Sequence, residues 1–167
     1  FYGRRQATTQ AANAKVKGMI FLLDTDQLIF MVRGLKTGRR VAQRKKALKI
    51  VGHCQRHQAS GGSVGLSAVT LSELESGAHN RERYTDEIAA VRKVLTPFEI
   101  YDYDGVQCPL HYGRIRYELA AKGVMIGAMD LLIAAHALAL DATLVSNNMS
   151  HFGRVTGLKV VNWQTES

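Results

Sequence analysis

The chain has 167 residues, of which 46% are hydrophobic, and its mean hydropathy is -0.10. This length suits one domain with a proper core, and no apolar run is long enough to span a bilayer, which excludes a membrane protein. Two cysteines, Cys54 and Cys108, without a short metal or redox spacing exclude a disulfide framework and favour a reducing, cytoplasmic setting.

Positive charge is unevenly distributed. The formal net charge is +8, and nine basic residues but no acidic residue lie between Gln27 and Ser72. Such a block suits a polyanion or an acidic partner chain, although a solvated helix face explains it equally well. Residues 1–18 lack the apolar segment of a secretory signal, and Met19 fits a natural start. We therefore expect residues 1–18 to be a disordered leader or remnant and residues 19–167 to form one domain.

Predicted strands and helices alternate along the chain. The strand patterns lie at residues 20–23, 64–67, 98–103, 143–146 and 158–163. The helical patterns are a short helix ending near Gly34, a basic amphipathic helix over about 38–58, a helix ending near Gly77, and helices over 84–95, 104–123 and 129–140. Helical connections of this length favour parallel strands. We predict an α/β fold, a three-layer α/β/α sandwich around a mostly parallel sheet.

Carboxylates and carboxamides follow these strands or open the helices beside them. Asp24 ends the first strand, Glu73 lies one turn into the helix after the second, and Asp130 begins an otherwise apolar helix. Asn147 and Asn148 end the fourth strand. Because ligands collect beyond the carboxyl ends of parallel strands, we expect these side chains to share one edge.

Each of these residues also has a local explanation. Asp24 or Asp26 can cap the helix after the first strand, and Thr70 with Glu73 matches a capping box. Asp130 meets the positive end of a helix dipole, and the two asparagines fit ordinary turns. Taken singly, each local explanation is sufficient.

Together, the acidic residues point to a bound cation. Carboxylates gathered at one edge repel one another unless a cation neutralises them, and Mg²⁺ and Mn²⁺ prefer oxygen ligands. An ion held in this way can polarise water and stabilise the charge that develops on a phosphodiester oxygen. The combination therefore favours a site for Mg²⁺ or Mn²⁺, with one or two ions.

Five longer segments form a recognisable set: LDTD at 23–26, SAVTLSELESGA at 67–78, IRYELAAKG at 115–123, IGAMDLLIAAHALAL at 126–140 and TLVSNNMSHFGRVTGLKVVNW at 143–163. Together they resemble the PIN-domain ribonucleases, specifically the VapC toxins of bacterial toxin-antitoxin modules. The resemblance covers residues 19–163. It implies a single PIN-like nuclease domain over residues 19–167.

The resemblance assigns roles residue by residue. Asp24, Glu73 and Asp130 match the family's first three acids and would bind Mg²⁺ or Mn²⁺ and orient the attacking water. Asn148 falls at the fourth acidic position of the catalytic set and offers an oxygen without a charge. Ser146 would supply the small hydroxyl often found beside it.

Asp26 departs from the family pattern, which usually has Asn at this position. We hypothesise that Asp26 restores the charge that is lost at Asn148 and acts as an auxiliary ligand or as the capping residue. An Asp26→Asn variant with unchanged metal affinity would reject this hypothesis.

The implied activity is that of a metal-dependent endoribonuclease toxin that hydrolyses RNA phosphodiester bonds, with transfer RNA as one candidate substrate. The implied partners are a second copy in a homodimer and a cognate antitoxin whose segment blocks the acidic groove. Positive residues bind the RNA backbone in a salt-dependent manner. The candidates are Arg39, Arg40, Arg44 and Lys45.

Two other kinds of protein remain as alternatives. One is a catalytically weak or inactive PIN-like module that binds RNA or a partner protein. The other, a phosphoacceptor domain of the response-regulator type, would need an Asp ending a central strand and a Lys at a later one, and neither stands out. His53 and His57 have a zinc-compatible spacing without a third ligand, so we predict them to be solvated; for His136 we predict packing.

Overall fold

The structure, a computed structural model, describes residues 18–36, 38, 40–80 and 84–165. The strands in these ranges are β1 (Ile20–Leu23), β2 (Ser63–Ser67), β3 (Glu99–Tyr101), β4 (Thr143–Val145) and β5 (Lys159–Val161). The helices are α1 (Thr25–Leu35), α2 (Val41–Ala59), α3 (Ala68–His79), α4 (Tyr84–Leu95), α5 (Gln107–Ala121), α6 (Ala128–Ala139) and α7 (Met149–Phe152). Of the predicted leader, only Gly18 lies within these ranges.

The strands form one sheet in the order β3-β2-β1-β4-β5, and every neighbouring pair is parallel. At the centre, Leu23 is in register with Leu66 of β2 and Val145 of β4. The carboxyl ends of the three central strands are therefore level. The residues that follow Leu23 and Val145 emerge at the same edge of the sheet as the last residue of β2.

Both faces of the sheet are covered, which explains why β1 is apolar at every position. Phe21 and Leu23 pack on one face with residues of α1–α4, whereas Leu22 packs on the other face with residues of α5 and α6. Leu22 and Leu23 are fully buried. The predicted three-layer α/β/α sandwich is confirmed, with a sheet that is parallel throughout the described strands. No helix in these ranges is both long and apolar enough to cross a membrane.

Several predicted element ends differ from the observed ones. The edge strands β3 and β5 are each three residues long, shorter than predicted. Helix α3 continues past Gly77 to His79, since an exposed glycine costs a helix stability without ending it. The short helix α7, which carries only four residues, was not predicted.

The prediction that His53 and His57 are solvated was wrong. His53 is 6% exposed, and its ring stacks on Trp163 with a centroid distance of 5.2 Å and an interplanar angle of 9°. His57 is half-buried and stacks on Trp163 at the same centroid distance. Its ring centroid lies 4.0 Å from that of Phe21. Trp163 lies more than a hundred residues further along the chain, so the spacing on α2 carried no sign of this contact.

Candidate active site

Asp24 is fixed where β1 ends and α1 begins. Its backbone N–H donates to the Val145 carbonyl of the neighbouring strand at 3.0 Å. Its side chain, 5% exposed, caps α1 by accepting a hydrogen bond from the Thr25 backbone N–H at 2.8 Å. The other carboxylate oxygen accepts from the Ser146 hydroxyl at 2.7 Å. The carboxylate is therefore oriented by two strands at once.

Burial raises the pKa of the Asp24 carboxyl from 3.8 to about 6. The hydrogen bonds from Ser146 and Thr25 oppose this rise, whereas the carboxylates of Asp26 and Asp130 add to it. Asp26 and Asp130 are thus close enough for their charges to act on Asp24. At neutral pH the site holds a buried negative charge among other acids, which a cation would stabilise.

Glu73 reaches the same edge from α3. Its side chain accepts a hydrogen bond from the Thr25 hydroxyl, and Thr25 directly follows Asp24. The capping-box explanation of Glu73 was wrong, because α3 is capped by Ser67, whose hydroxyl accepts from the Val69 N–H at 3.0 Å. Thr70 lies inside the helix and is fully buried.

Asp130, the third residue of α6, contacts the short helix α7. One of its carboxylate oxygens lies 2.9 Å from Nδ1 of His151. The same nitrogen lies 2.9 Å from Nδ2 of Asn148, the residue that precedes α7. Sequence reasoning missed His151; the available signal was its place three residues after Asn148, which puts both on one side of a helical turn.

Ser146 connects the two halves of the site. Its hydroxyl is fully buried and donates to Asp24 while it accepts from the Asn148 backbone N–H at 2.9 Å. A continuous chain of contacts therefore joins the three acids, in the order Glu73, Thr25, Asp24, Ser146, Asn148, His151, Asp130. Within the part of the chain that is described, no three His, Cys, Asp or Glu side chains are already grouped to hold an ion.

This arrangement of acids lies in a known fold. The PIN domain family matches residues 21–158, most of the chain. The chain belongs to the PIN-domain family. Its relatives include Ribonuclease VapC2 of Haemophilus influenzae, 32% identical, and the tRNA(fMet)-specific endonuclease VapC of Salmonella typhimurium, 31% identical. Each alignment covers 86% of this chain and 97% of the relative.

Solved structures agree with the family assignment. VapBC2 of Rickettsia felis bound to a DNA fragment from its promoter matches with a TM-score of 0.71 and 30% identity, over 87% of this chain and 99% of that chain. DNA-bound VapBC of Salmonella typhimurium matches with a TM-score of 0.73 and 30% identity, over 87% and 98%. The PIN-like fold is therefore shared with toxin-antitoxin complexes.

Asp26 of this PIN domain does not cap α1, since Asp24 does. Its side chain is exposed in the first turn of the helix, and its negative charge contributes to the raised pKa of Asp24. The capping alternative for Asp26 was wrong. The auxiliary-ligand hypothesis stays a prediction.

The candidate RNA-binding residues that the structure describes do not lie at the acidic edge. Arg39 is outside the described residues, and Arg40, Arg44 and Lys45 are exposed at the start of α2. This part of α2 packs beside the end of α1, where a side chain on Gly34 would collide with α2. Because α1 begins at the acidic edge and has 11 residues, the two regions are separated by about 16 Å of helix.

Proposed function

We propose that this PIN-domain protein is an endoribonuclease toxin that hydrolyses RNA phosphodiester bonds with a divalent metal ion and is inhibited by a cognate antitoxin. The observation that carries the proposal is the buried Asp24 carboxylate, whose pKa is raised to about 6 mainly by burial and further by the charges of Asp26 and Asp130. A site that keeps such charges together is suited to a cation. The ribonuclease names of its relatives support the same conclusion.

The donor set fits Mg²⁺ or Mn²⁺. Asp24, Glu73 and Asp130 offer carboxylate oxygens from three different elements, which is the chemistry these ions prefer. When bound, one or two such ions would activate water and stabilise the charge on the phosphodiester oxygens. We infer that these three acids hold the metal and that Asn148 completes the catalytic set with a neutral oxygen.

The surrounding hydroxyls position the acids. Ser146 holds one oxygen of Asp24, and Thr25 holds one oxygen of Glu73. Such supporting hydrogen bonds orient metal ligands, and their loss commonly costs about 10-fold to 100-fold in metal affinity. In this proposal Ser146 also fixes the backbone of Asn148, so that one serine sets the relative position of two site residues.

The substrate proposed here is a structured RNA, with transfer RNA as the first candidate because one relative is named a tRNA(fMet)-specific endonuclease. Arg40, Arg44 and Lys45 on α2 would bind phosphates away from the cleavage point, so binding should weaken with salt. An RNA that contacts both regions must extend across the length of α1.

An apolar groove between α1, α2 and α4 is a candidate position for the antitoxin. The groove is lined by Met31, Val32, Leu35, Lys36, Val51, Ala90, Lys93, Val94, Pro97 and Phe98. Apolar walls fit the apolar face of an amphipathic helix, and Lys93 fits an acidic residue on that helix, whereas Lys36 already pairs with Glu87 at 2.7 Å. The similar solved structures are VapBC complexes, which supports an antitoxin partner.

A homodimer is the second proposed assembly. Val106, Leu110 and Tyr117, on and beside α5, are large hydrophobic residues with 65%, 66% and 76% exposure. Exposed apolar side chains in one region commonly mark a protein interface. Light scattering on the purified protein should give twice the monomer mass, and a Tyr117→Lys variant should give the monomer mass.

An inactive RNA-binding module is the second candidate function. It is favoured by the neutral Asn148 and by the hydrogen bonds that already occupy Glu73, Asp24 and Asp130. It is also favoured because the described residues contain no group of three His, Cys, Asp or Glu side chains placed to hold an ion. In that case RNA would bind without metal and stay intact. The two candidates therefore differ in a single cleavage assay.

The assay incubates purified protein with transfer RNA in Mn²⁺, in Mg²⁺ and in chelator. We expect cleavage only with metal and a loss of at least about 100-fold in Asp24→Asn, because the buried carboxylate is central to the site. Asp141→Asn is the matched control: Asp141 is exposed, and its positive φ of 51° is well tolerated by Asn. Intact RNA under all conditions, with binding retained, would establish the inactive module instead.

A further inference from the structure

His151 is a side chain at the acidic edge to which the proposed function gives no role. It lies on α7, and its side chain is 41% exposed. Its Nδ1 atom faces the Asp130 carboxylate at 2.9 Å and the Asn148 amide at 2.9 Å. A nitrogen that can carry a lone pair therefore points into the space between a proposed metal ligand and the fourth position of the catalytic set.

The two contacts of Nδ1 make opposite demands. The Asp130 carboxylate accepts hydrogen bonds, so it needs a proton on Nδ1, whereas the Asn148 Nδ2 group donates and needs a lone pair there. One nitrogen cannot meet both demands. A cation beside Nδ1 and the Asp130 oxygen would satisfy both of these atoms through their lone pairs.

The separation of the two atoms also matches metal coordination. In an octahedral ion with bonds of about 2.1 Å, neighbouring ligand atoms lie about 3 Å apart. Nδ1 of His151 and the Asp130 oxygen are 2.9 Å apart. The two atoms could therefore both bind one ion without moving apart.

We propose that His151 is a metal ligand beside Asp130 and that its nitrogen makes the site select Mn²⁺ over Mg²⁺. This inference rests on the metal site of the proposed function. Imidazole suits first-row transition ions, whereas Mg²⁺ prefers oxygen and water. Because Asn148 adds no negative charge, we expect this site to bind Mg²⁺ more weakly than a site with four acidic residues would.

An alternative arrangement makes His151 a positioning residue only. Turning the Asn148 amide by half a turn would present its oxygen to Nδ1–H, which could then donate to Asn148 and Asp130 together. His151 would orient Asp130 without touching the ion. Metal affinity would then fall equally for Mn²⁺ and Mg²⁺ when His151 is replaced.

The first measurement is metal affinity, by titration of free Mn²⁺ with its EPR signal and by competition with Mg²⁺. In His151→Gln we expect the Kd of Mn²⁺ to rise at least about tenfold, the lower end for groups that support metal ligands, and the Kd of Mg²⁺ to change by less than about twofold. His79→Gln is the control, because His79 is exposed at the far end of α3, about 18 Å of helix from the acidic edge.

The second measurement is pulsed EPR of bound Mn²⁺, which detects a nitrogen nucleus in the coordination shell. The native protein and His79→Gln should give the nitrogen coupling of a bound imidazole, and His151→Gln should lose it. Bound Mn²⁺ without nitrogen coupling in the native protein overturns the inference, even if His151→Gln does not fold. An unchanged preference for Mn²⁺ over Mg²⁺ in His151→Gln overturns it as well.

These results are distinguishable from failure of the proposed function. RNA cleavage together with bound Mn²⁺ that lacks nitrogen coupling rejects the role of His151 and keeps the nuclease. Nitrogen coupling in a protein that leaves RNA intact keeps the ligand and rejects the nuclease.

Discussion

Two serines flank the central strand β1 at the same edge of the sheet, and they serve different purposes. Ser67 ends β2 and Ser146 follows β4, and both are fully buried. Each hydroxyl accepts from the backbone N–H two residues further on, at 3.0 Å to Val69 and 2.9 Å to Asn148. Each also makes a 2.7 Å hydrogen bond to a side chain of a different element.

The difference lies in the partner. Ser67 contacts His136, which is fully buried, packs edge-on against Tyr103, and has a pKa lowered by burial, so that it is neutral. Ser146 contacts Asp24, which stands beside other carboxylates. The same placement of a hydroxyl therefore stabilises a packed, neutral contact on one side of β1 and orients a charge on the other. Chemistry is expected only where the partner is an acid.

The largest expected effect is on the pH dependence of stability in chelator. Folded Asp24 holds its proton up to about pH 6, whereas the unfolded chain releases it near 3.8. The folded state thus binds more protons in this window, and the stability contributed by Asp24 falls as pH rises from 4 to 7. The fall is on the order of 3 kcal/mol, at 1.36 kcal/mol per pKa unit.

Denaturant unfolding at several pH values measures this effect as the difference between the native protein and Asp24→Asn. The lowered pKa of His136 gives a slope of opposite sign, but it is present in both proteins and cancels. Asp141→Asn is the control and should differ from the native protein by less than about 0.5 kcal/mol at each pH. If the difference in the free energy of unfolding between the native protein and Asp24→Asn stays constant with pH, the hydrogen bond from Ser146 does not orient a group that becomes charged in this range.

The second effect is on metal binding. Ser146→Ala removes the hydrogen bond that orients Asp24, and we expect the Kd of Mn²⁺ to rise about 10-fold to 100-fold. Ser67→Ala is the matched substitution on the neutral side and should leave this Kd within about twofold. Calorimetric titration measures both. Equal losses in the two variants would remove the distinction between the serines.

The third effect is on stability. Ser67→Ala leaves a nitrogen of His136 without its hydrogen bond inside the protein and removes the cap of α3. We expect a loss of about 1–2 kcal/mol in the free energy of unfolding. Ser72→Ala, on the exposed side of α3, should change it by less than about 0.5 kcal/mol. If Ser67→Ala is as stable as Ser72→Ala, the neutral contact is unimportant for the fold.

The smallest effect is expected from Asp26→Asn. Asp26 is exposed, and exposed charge pairs contribute about 0.2–1 kcal/mol, so the Kd of Mn²⁺ should rise by no more than about fivefold. The same titration measures it, with Asp141→Asn as the control. No change at all would exclude Asp26 as an auxiliary ligand, and a loss as large as that of Ser146→Ala would make it a full ligand.

Several parts of the site could be predicted because they follow from local patterns. The apolar run before Asp24 indicates a strand buried on both faces. The apolar segment with Asp130 near its start indicates the helix α6, in which Asp130 lies in the first turn. Parallel strands bring the ends of β1 and β4 to one edge, as their register demonstrates, and the charge of Asp130 acts on Asp24 there. The sequence pattern alone was therefore enough to predict that Asp24 and Asp130 lie at one edge of the sheet.

Other features could not be read from local patterns. The hydrogen bonds of Thr25 with Glu73, of Ser67 with His136 and of Ser146 with Asp24 join residues 48, 69 and 122 positions apart. Sequence spacing gave a capping box for Glu73 and solvated positions for His53 and His57, and the structure replaced both. His151 became visible only through its contacts with Asp130 and Asn148.

The sequence by itself determined the alternation of strands and helices and the chain positions of the acids, because periodicity and burial act over a few neighbouring residues. Only the tertiary structure decided which side chain each acid and each serine would meet. Those partners come from distant segments of the chain. The packing of the whole sheet with its two layers of helices sets the distances between these side chains, and the distances and burial set the pKa values of the acids.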